Sequence, residues 1–468
     1  GYAEKGSWNT EISENTPVTE DVTYTYIFKE IPAPDLDWDV SRSKTATNLD
    51  KNYESQVTLS LPSAEEELAS DVVFVLDKST SAEVETQILS MLQTLNKQIE
   101  NTDATIKVGV VVFNKEAHRV LELTELNSEN MGAIEDAIAY EISSGTNTHA
   151  GLLAGKAMLD EDTSVDSNRK YLIFVSDGIT YMYNEAPTVT AWSFLADGWK
   201  TWAGPENWSS KYGNTNAPED WSTWLTDIEA KVSAQGTTYE YPYQGTVSQS
   251  TPQEDWQEAY ANSIDKALYL TYETYQEIQE AGYQCYAVTA SSNASYPWAT
   301  SFMEYLSEGQ TVSFEDIQKD IYYLVDAGSY VVDVIGSGTD NKGNAYNFDF
   351  VNQAGKLTLK VGEETYPAVS IPAQDDATAS YSFGDVRDGF YPYVLNYYQN
   401  GTKDVASEHF VWEINVPVSN FAHVQLTYSA KLTNPQSRAG TYGQYDADGS
   451  EGYTSLYTNT SAELTPVD

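Results

Sequence analysis

The sequence predicts an α/β domain inserted into an all-β domain. Two unbroken apolar runs, residues 72–76 and 171–175, each lead into an aspartate-containing loop, and segments with helical periodicity lie between them. Such runs are typical of the buried parallel strands of a doubly wound, Rossmann-like sheet. Before residue 66 and after residue 329 the apolar residues alternate instead, and turn signals separate the runs. A chain of 468 residues is long enough for two or three domains.

The β-rich ends of the chain are expected to form one domain together. Residues 1–19 are polar and irregular, and we expect a flexible lead-in there. Residues 20–66 contain strand patterns at 22–28 and 53–61, which are too few strands to close a domain. We therefore expect them to complete an immunoglobulin-like sandwich whose other strands come from residues 329–468.

Residues 67–328 form the predicted α/β domain. Strands are expected at 72–76, 106–113, 119–123, 171–175 and 285–289, and helices at 82–99, 129–140, 151–158, 257–281 and 314–325. Ser128 is placed to cap the second of these helices.

The first predicted strand runs directly into an Asp-x-Ser-x-Ser pattern formed by Asp77, Ser79 and Ser81. Open α/β sheets bind ligands at the carboxyl ends of their strands, and one carboxylate with two hydroxyls suits Mg2+ or Mn2+ that keeps an open position. A later predicted strand is followed by Asp177, and Thr146 lies in a polar loop that opens a helix. The alternative is that these are ordinary capping residues.

The order of these three motifs resembles the von Willebrand factor type A (VWA) domain with its metal-ion-dependent adhesion site. The resemblance extends across the predicted α/β domain. It implies that Ser79, Ser81 and Thr146 supply hydroxyl ligands to Mg2+ or Mn2+. It also implies that Asp77 and Asp177 hold the ion directly or through water.

A long connection follows Asp177 and contains little regular periodicity. Residues 179–254 hold six of the eleven tryptophans. These are Trp192, Trp199, Trp202, Trp208, Trp221 and Trp224. A connection of this length is often functional, so we expect an arm beside the metal site whose tryptophans contact ligand. The alternative is a self-packed subdomain with its tryptophans inside, since tryptophan is usually mostly buried.

The composition narrows the possible partners. The net charge is −45, from 70 acids and 25 bases, so nucleic acid and anionic membranes are poor partners. No stretch is long and apolar enough for membrane insertion, and no signal peptide is visible. The single cysteine, Cys285, cannot form an intrachain disulfide and is expected to be an inert core thiol.

The β-rich flanks resemble those of VWA-containing ancillary pilins, the tip adhesins of Gram-positive, streptococcal-type pili. The segments that carry this resemblance are 43–46, 332–336, 409–417 and 456–459. In that family the split sandwich, which is of the Cna type, contains a spontaneous Lys–Asn isopeptide bond formed next to an acidic residue. The resemblance therefore implies a bond between Lys44 and Asn459.

Two acids could assist that bond. Asp333 lies on the first strand after the insertion and is our first choice, while Glu413 interrupts an apolar strand and is the second. The lysine amine must be neutral to react, which burial favours, and a protonated carboxyl can polarise the asparagine amide. The alternative is that Lys44 is a surface lysine and Asn459 a turn residue.

The pilin resemblance implies an extracellular protein of the bacterial cell surface, in a pilus or the cell wall. It would bind a host extracellular-matrix protein or glycan and other pilin subunits. The alternative is a structural pilus subunit or cell-wall protein that binds no host ligand. We expect no enzymatic activity, because the four histidines are scattered and no nucleophile–base pattern appears.

Overall fold

The computed structural model describes the following parts of the chain: residues 7–8, 26–27, 43–62, 68–77, 82–100, 102, 104–142, 145–190, 217–238, 240–243, 261–291, 296–309, 312–339, 343, 345–386, 389–435 and 458–466. They fall into two compact units. One, the two-sheet unit, combines residues up to 66 with residues from 323 onward, and the other, the α/β unit, spans 67–322.

Strands and helices are numbered in chain order through both units. The strands are β1 Ser7–Trp8, β2 Tyr26–Ile27, β3 Ser43–Ala46, β4 Glu54–Leu61, β5 Ala69–Asp77, β6 Thr105–Phe113, β7 Ala117–Glu125, β8 Lys170–Ser176, β9 Thr188–Thr190, β10 Glu240–Pro242, β11 Gln284–Thr289, β12 Tyr323–Val325, β13 Ser329–Ile335, β14 Ser337–Thr339, β15 Ala345–Phe350, β16 Thr358–Val361, β17 Glu364–Pro367, β18 Val369–Ile371, β19 Ala379–Phe383, β20 Tyr393–Tyr398, β21 His409–Ile414, β22 Val418–Ser419, β23 Val424–Leu432 and β24 Asn459–Thr465. The α-helices are α1 Ala82–Ile99, α2 Met131–Ile138, α3 Thr148–Glu161, α4 Trp221–Gln235, α5 Ser263–Glu280, α6 Pro297–Leu306 and α7 Phe314–Tyr322.

A five-stranded sheet in the order β11-β8-β5-β6-β7 runs through the α/β unit. The first four strands are parallel, and β7 is antiparallel at the edge. Successive residues of β5 and β8 are buried whichever face they point to, so both faces of the sheet are covered. Helix α1 packs against α7, and α3 packs against α5. The predicted α/β fold of this region is confirmed, and α1 has the predicted bounds.

Several predicted boundaries in this unit were wrong. Ser128 does not cap α2, because the Asn127 side chain instead accepts from the backbone of residues 129 and 130, and the helix begins at Met131. Helix α5 begins at Ser263, after Asn262 caps it, rather than at 257. Helix α6 was missed, although its Pro297 stands at the first helical turn, where proline is favoured. The last helix ends at residue 322, and the next three residues form β12.

The predicted arm contains regular structure where little was expected. Strands β9 and β10 pair antiparallel, and α4 is a 15-residue helix that begins with Trp221. Trp221 is buried in the main core of the α/β unit, and its Nε1 donates to Ser301 Oγ at 3.0 Å. Trp224 is half-buried against the same core. For these two tryptophans the self-packed alternative describes the structure; the other four lie outside the described residues.

The two-sheet unit contains two large antiparallel sheets, besides the short pairs β1–β2 and β12–β22. One has six strands in the order β18-β19-β20-β21-β13-β24. The other has seven, in which β23 pairs with β4, β15 and β16, and β3, β14 and β17 extend it. Residues from both sheets, including Leu59, Trp412 and Tyr428, belong to one hydrophobic core. Strand β4, before the α/β unit in sequence, pairs with β23, which follows it, so both ends of the chain build this unit.

Several short strands of this unit were not predicted. Strand β1 lies inside the expected lead-in and pairs with β2, which lies within the strand predicted at 22–28. After residue 329 the sequence pattern predicts strands at 330–335, 357–361, 391–398, 409–416, 423–432 and 456–464, so β14, β15, β17, β18, β19 and β22 were missed. Cys285 is half-buried on the edge strand β11, and burial raises the pKa of its thiol to about 12. Among the helices described, none has the length and apolar character needed to cross a membrane.

Candidate metal site and a buried lysine–aspartate pair

The structure brings Asp77 and Asp177 to the same edge of the sheet. Parallel pairing sets Leu76 of β5 opposite Val175 of β8, so both strands end together. Asp77 is the last residue of β5 and is almost fully buried, and Asp177 is the first residue after β8. Ser176 Oγ donates to Asp77 Oδ2 at 2.8 Å and accepts from the Gly178 backbone N–H at 3.0 Å. Ser176 therefore links the two aspartate-bearing segments, a role that the sequence did not suggest.

Thr146 lies on the loop that precedes α3 and approaches the same edge. Its carbonyl oxygen accepts from the backbone N–H groups of Tyr181 and Met182, each at 3.4 Å. These residues follow Asp177 closely in sequence, so the Thr146 loop is bonded to the segment that leaves the edge. Ser79 and Ser81 lie outside the described residues, in the connection between β5 and α1.

The donor set at this edge fits a hard divalent cation. Burial raises the pKa of the Asp177 carboxyl above its usual value, which is the effect of a carboxylate held away from water. In the part of the chain that the structure describes, no three His, Cys, Asp or Glu side chains gather into a metal-binding group. The side chains of Asp77, Asp177 and Thr146 offer oxygen donors, which are the donors that Mg2+ or Mn2+ prefers.

His149, the histidine nearest these motifs in sequence, has a structural role. It is buried on α3, and its Nδ1 accepts from the Asn184 backbone N–H at 3.0 Å. Burial lowers the pKa of His149 to about 4, so the ring is neutral at physiological pH.

A second site lies inside the two-sheet unit, where Lys44 of β3 meets Asp333 of β13. Lys44 Nζ is 2.5 Å from Asp333 Oδ2, and the Tyr428 hydroxyl donates to the same oxygen at 2.8 Å. Asp333 has no exposed surface. Asp333 Oδ1 is also buried and has no hydrogen-bond partner. The alternative that Lys44 is a surface lysine is therefore wrong.

Burial acts in opposite directions on the two charged groups. It lowers the pKa of Lys44 and raises the pKa of Asp333, while the attraction between the pair opposes both shifts. Both changes favour the neutral amine beside a protonated carboxyl.

The positions of Asn459 and Glu413 differ in their relation to this pair. Asn459 begins β24 and lies opposite Ile335, two residues beyond Asp333 on the neighbouring strand β13. Glu413 alternates with the fully buried Trp412 and Ile414, and its Oε1 accepts from Asn396 Nδ2 at 2.9 Å. Adjacent residues of a strand point to opposite faces, so Glu413 faces away from the core that holds Lys44.

Comparison with known families decides the identity of the α/β unit. Residues 71–192 match the sequence model of the von Willebrand factor type A domain. The chain contains a VWA domain. A comparison with curated protein sequences finds no match.

Among solved structures, three similar ones come from pili. They are the pilus adhesin SpaC from Lactobacillus rhamnosus GG in its open conformation (16% identity, 91% of this chain and 45% of that chain, TM-score 0.33), three N-terminal domains of the type V pili tip protein Mfa5 from Porphyromonas gingivalis (13% identity, 91% and 74%, TM-score 0.31), and the pilus adhesin RrgA from Streptococcus pneumoniae (11% identity, 91% and 63%, TM-score 0.30). The chain spans less than half of the SpaC chain.

Proposed function

We propose that this protein is a cell-surface pilus-tip adhesin that captures a host matrix protein or glycan through a metal-ion-dependent adhesion site. The observation that carries the proposal is the meeting of Asp77, Asp177 and the Thr146 loop at one edge of the VWA sheet. The proposal places the protein outside the cell, next to other pilin subunits. It describes a binding protein rather than an enzyme.

In this proposal Asp77, Ser79, Ser81, Thr146 and Asp177 hold Mg2+ or Mn2+. The bound ion supplies an open coordination position that attracts a carboxylate or other oxygen of the ligand. The protein supplies two carboxylates from adjacent parallel strands and orients one of them through Ser176. Cation binding would also compensate for the partial burial of Asp177.

The test is a binding screen of matrix proteins and glycans with wild type and two single-residue variants. Asp77→Asn removes a metal ligand, and Asp71→Asn is the matched control because both aspartates are buried on β5. We expect capture in Mg2+ to be lost with EDTA and in Asp77→Asn, and retained in Asp71→Asn. Capture that survives both EDTA and Asp77→Asn would contradict the metal-dependent site. Metal binding without capture of any partner would favour a structural pilus subunit.

We propose a second feature, an isopeptide bond between Lys44 and Asn459 with Asp333 as the assisting acid. The neutral Lys44 Nζ would attack Asn459 Cγ, a new C–N bond would form, and the bond to the asparagine amide nitrogen would break. The nitrogen leaves as NH3, and the Asp333 carboxyl would carry the proton between the two nitrogens. Three observations support this: the short Lys44–Asp333 contact, the unpartnered Asp333 Oδ1, and the place of Asn459 on the strand beside β13.

Residues directly opposite each other on paired strands point to the same face, which further supports the choice of Asn459. Ile335 is buried in the core between the sheets and is paired with Asn459 beside a register shift, a pairing that favours an Asn459 side chain on the same side as Asp333.

Intact mass spectrometry tests the bond. We expect the wild-type mass to be lower than the sequence mass by one NH3, and Lys44→Ala, Asn459→Ala and Asp333→Ala each to have the full mass of their sequence. A wild-type protein with the full sequence mass would overturn this part of the proposal and leave the metal site untouched.

Two further parts of the proposal concern architecture. The two-sheet unit would be one immunoglobulin-like sandwich interrupted by the VWA domain, which the shared core and the β4–β23 pairing support. The arm would lie beside the metal site and shape ligand choice. Because α4 holds the core residue Trp221, the informative deletion removes only residues 192–216. Unchanged ligand affinity after that deletion would count against a binding role for the arm.

A further inference from the structure

Asn147, the residue after Thr146, joins three segments of the VWA domain. It has no exposed surface. Its backbone N–H donates to Asn114 O at 2.7 Å, and its Nδ2 donates to Lys115 O at 2.9 Å and to Asn184 O at 2.8 Å. Its Oδ1 accepts from the Ala150 backbone N–H at 3.1 Å, which caps α3.

The three segments all border the proposed metal edge. Asn114 and Lys115 directly follow β6, which is parallel to β5, and Ala150 is in the first turn of α3. Asn184 lies in the segment between Asp177 and β9. The buried Asn147 side chain therefore connects the loop after β6 with the segment between Asp177 and β9.

Asn184 is held from two sides by the start of α3. Its carbonyl accepts from Asn147 Nδ2, and its backbone N–H donates to His149 Nδ1. Asn184 also has a φ of 66°, a left-handed conformation that asparagine tolerates better than most residues. Asn147 and His149 thus hydrogen-bond both backbone polar groups of Asn184. These bonds link the start of α3, next to Thr146, to the segment that follows Asp177.

From this geometry we infer that Asn147 is a positioning residue for the metal site, which sets the Thr146 hydroxyl relative to Asp177. The inference rests on the proposed metal site. The side chain at this position accepts one hydrogen bond, from Ala150, and donates two, to Lys115 and Asn184. An asparagine amide supplies the acceptor and both donors. Alanine supplies none, and serine supplies a capping oxygen without the reach to both carbonyls.

The test compares Mn2+ affinity with stability in the full chain. Asn147→Ala removes the cap and both side-chain donors, while Asn147→Ser keeps a capping oxygen without adding charge. The matched control is Asn262→Ala, because Asn262 caps α5 in the same way, accepting from the Asp265 backbone N–H at 2.8 Å. Mn2+ binding is measured by calorimetry, and stability by thermal unfolding without metal.

We expect both Asn147 variants to bind Mn2+ at least tenfold more weakly than wild type, the usual effect of removing a residue that orients a metal ligand. Asn262→Ala should lower the unfolding temperature and leave Mn2+ affinity within twofold of wild type. Wild-type affinity in Asn147→Ser would overturn the inference, as would an equal loss in Asn262→Ala, since the effect would then follow from stability alone. If wild type binds no Mn2+, the proposed metal site fails instead.

Discussion

Asp77 and Asp333 are both buried aspartates on apolar strands, but they occupy different places in their sheets. Asp77 is the last residue of β5, and its carboxylate accepts a hydrogen bond from the hydroxyl of Ser176 on the neighbouring strand β8. Asp333 lies inside β13, between two sheets, and faces Lys44 and Tyr428 from the opposite sheet. The first carboxylate stands where loops leave the sheet, whereas the second is enclosed by side chains.

The position along the strand decides which partner can compensate for burial. A carboxyl group in the middle of a strand can be neutralised by holding its proton or by a side chain from the facing sheet, and Lys44 is that side chain for Asp333. A carboxylate at a strand end can also share an ion with residues of the neighbouring loops, as proposed for Asp77. Asp333 is therefore suited to a fixed side-chain partner, and Asp77 to an exchangeable cation.

The largest expected effect comes from removing the fixed partner. In protein without the cross-link, Lys44→Met leaves Asp333 without its buried partner, which costs up to about 3–5 kcal/mol of unfolding free energy. In cross-linked protein Lys44 is a neutral amide, so the cost is instead that of the lost bond over 415 positions (459 − 44 = 415), up to roughly 6 kcal/mol. Scanning calorimetry measures the resulting drop in unfolding temperature.

A lysine of the same unit provides the control for this change. Lys356 Nζ is also 2.5 Å from a carboxylate oxygen, that of Glu54, but the Lys356 side chain is 39% exposed. Lys356→Met should therefore lower the unfolding temperature much less than Lys44→Met, because exposed ion pairs contribute little to stability. If Lys44→Met is no more damaging than this control, the buried pair contributes little to stability.

A third aspartate extends the comparison to the amino end of β5. Both carboxylate oxygens of Asp71 are buried close to the Asp162 carboxylate, and Lys107 Nζ is 4.0 Å from Asp71 and paired with Asp162. Burial raises the pKa of Asp71 from 3.8 to about 6. The folded state therefore holds this proton more tightly than the unfolded state, and its contribution to stability is lost as the pH rises from about 4 to 6.

Asp71→Asn should consequently stabilise the protein above pH 6, because asparagine keeps the neutral form. The pKa difference of about two units corresponds to at most about 3 kcal/mol. Chemical unfolding at pH 4 and pH 7.5 measures the effect, which should be near zero at the lower pH. An equal gain at both pH values would show that the carboxyl does not titrate in this range.

Metal removal should have the next largest effect, on the α/β unit. At a Mg2+ or Mn2+ concentration one hundred times the dissociation constant, binding stabilises the folded state by about 2.7 kcal/mol. EDTA should lower the wild-type unfolding temperature accordingly. In Asp77→Asn the unfolding temperature should not respond to Mg2+, and without metal this variant should be at least as stable as wild type, since a buried carboxylate has been neutralised. A metal response retained in Asp77→Asn would count against this residue as a ligand.

The sequence placed the two aspartates of the proposed metal edge better than it placed the lysine–aspartate pair, for physical reasons. Unbroken apolar runs define β5 and β8, and parallel strands end at one edge, so Asp77 and Asp177 could be placed together from pattern alone. Lys44 and Asp333 are 289 positions apart, and no local pattern relates them; only the family resemblance did.

Other elements escaped prediction because tertiary contacts define them. The edge strands β17 and β18 are short and largely exposed, so they lack a strong apolar alternation. Trp221 appeared to belong to an irregular arm, and only its contacts with Phe302 and Ser301 show it to be a core residue. Ser176 and Asn147 act through hydrogen bonds to loops distant in sequence, which periodicity does not detect.

The smallest expected effect tests which face of the six-stranded sheet holds the assisting acid. Burial raises the pKa of Glu413, and its Oε1 accepts from Asn396 Nδ2. A glutamine side chain can accept the same bond through its amide oxygen, so Glu413→Gln should change stability by less than about 1 kcal/mol. Because Glu413 faces away from the core, the fraction of protein that has lost NH3 should equal that of wild type in freshly expressed samples.

Asp333→Asn is the matched comparison, since it removes the same charge from the other face of the sheet. This variant should keep both reacting partners and fail to cross-link, because an amide cannot carry the proton that the carboxyl transfers. Intact mass spectrometry of the two variants separates the two acids directly. If Glu413→Gln accumulates the full sequence mass while Asp333→Asn does not, the reaction depends on an acid outside the core, and the short Lys44–Asp333 contact is an ion pair only.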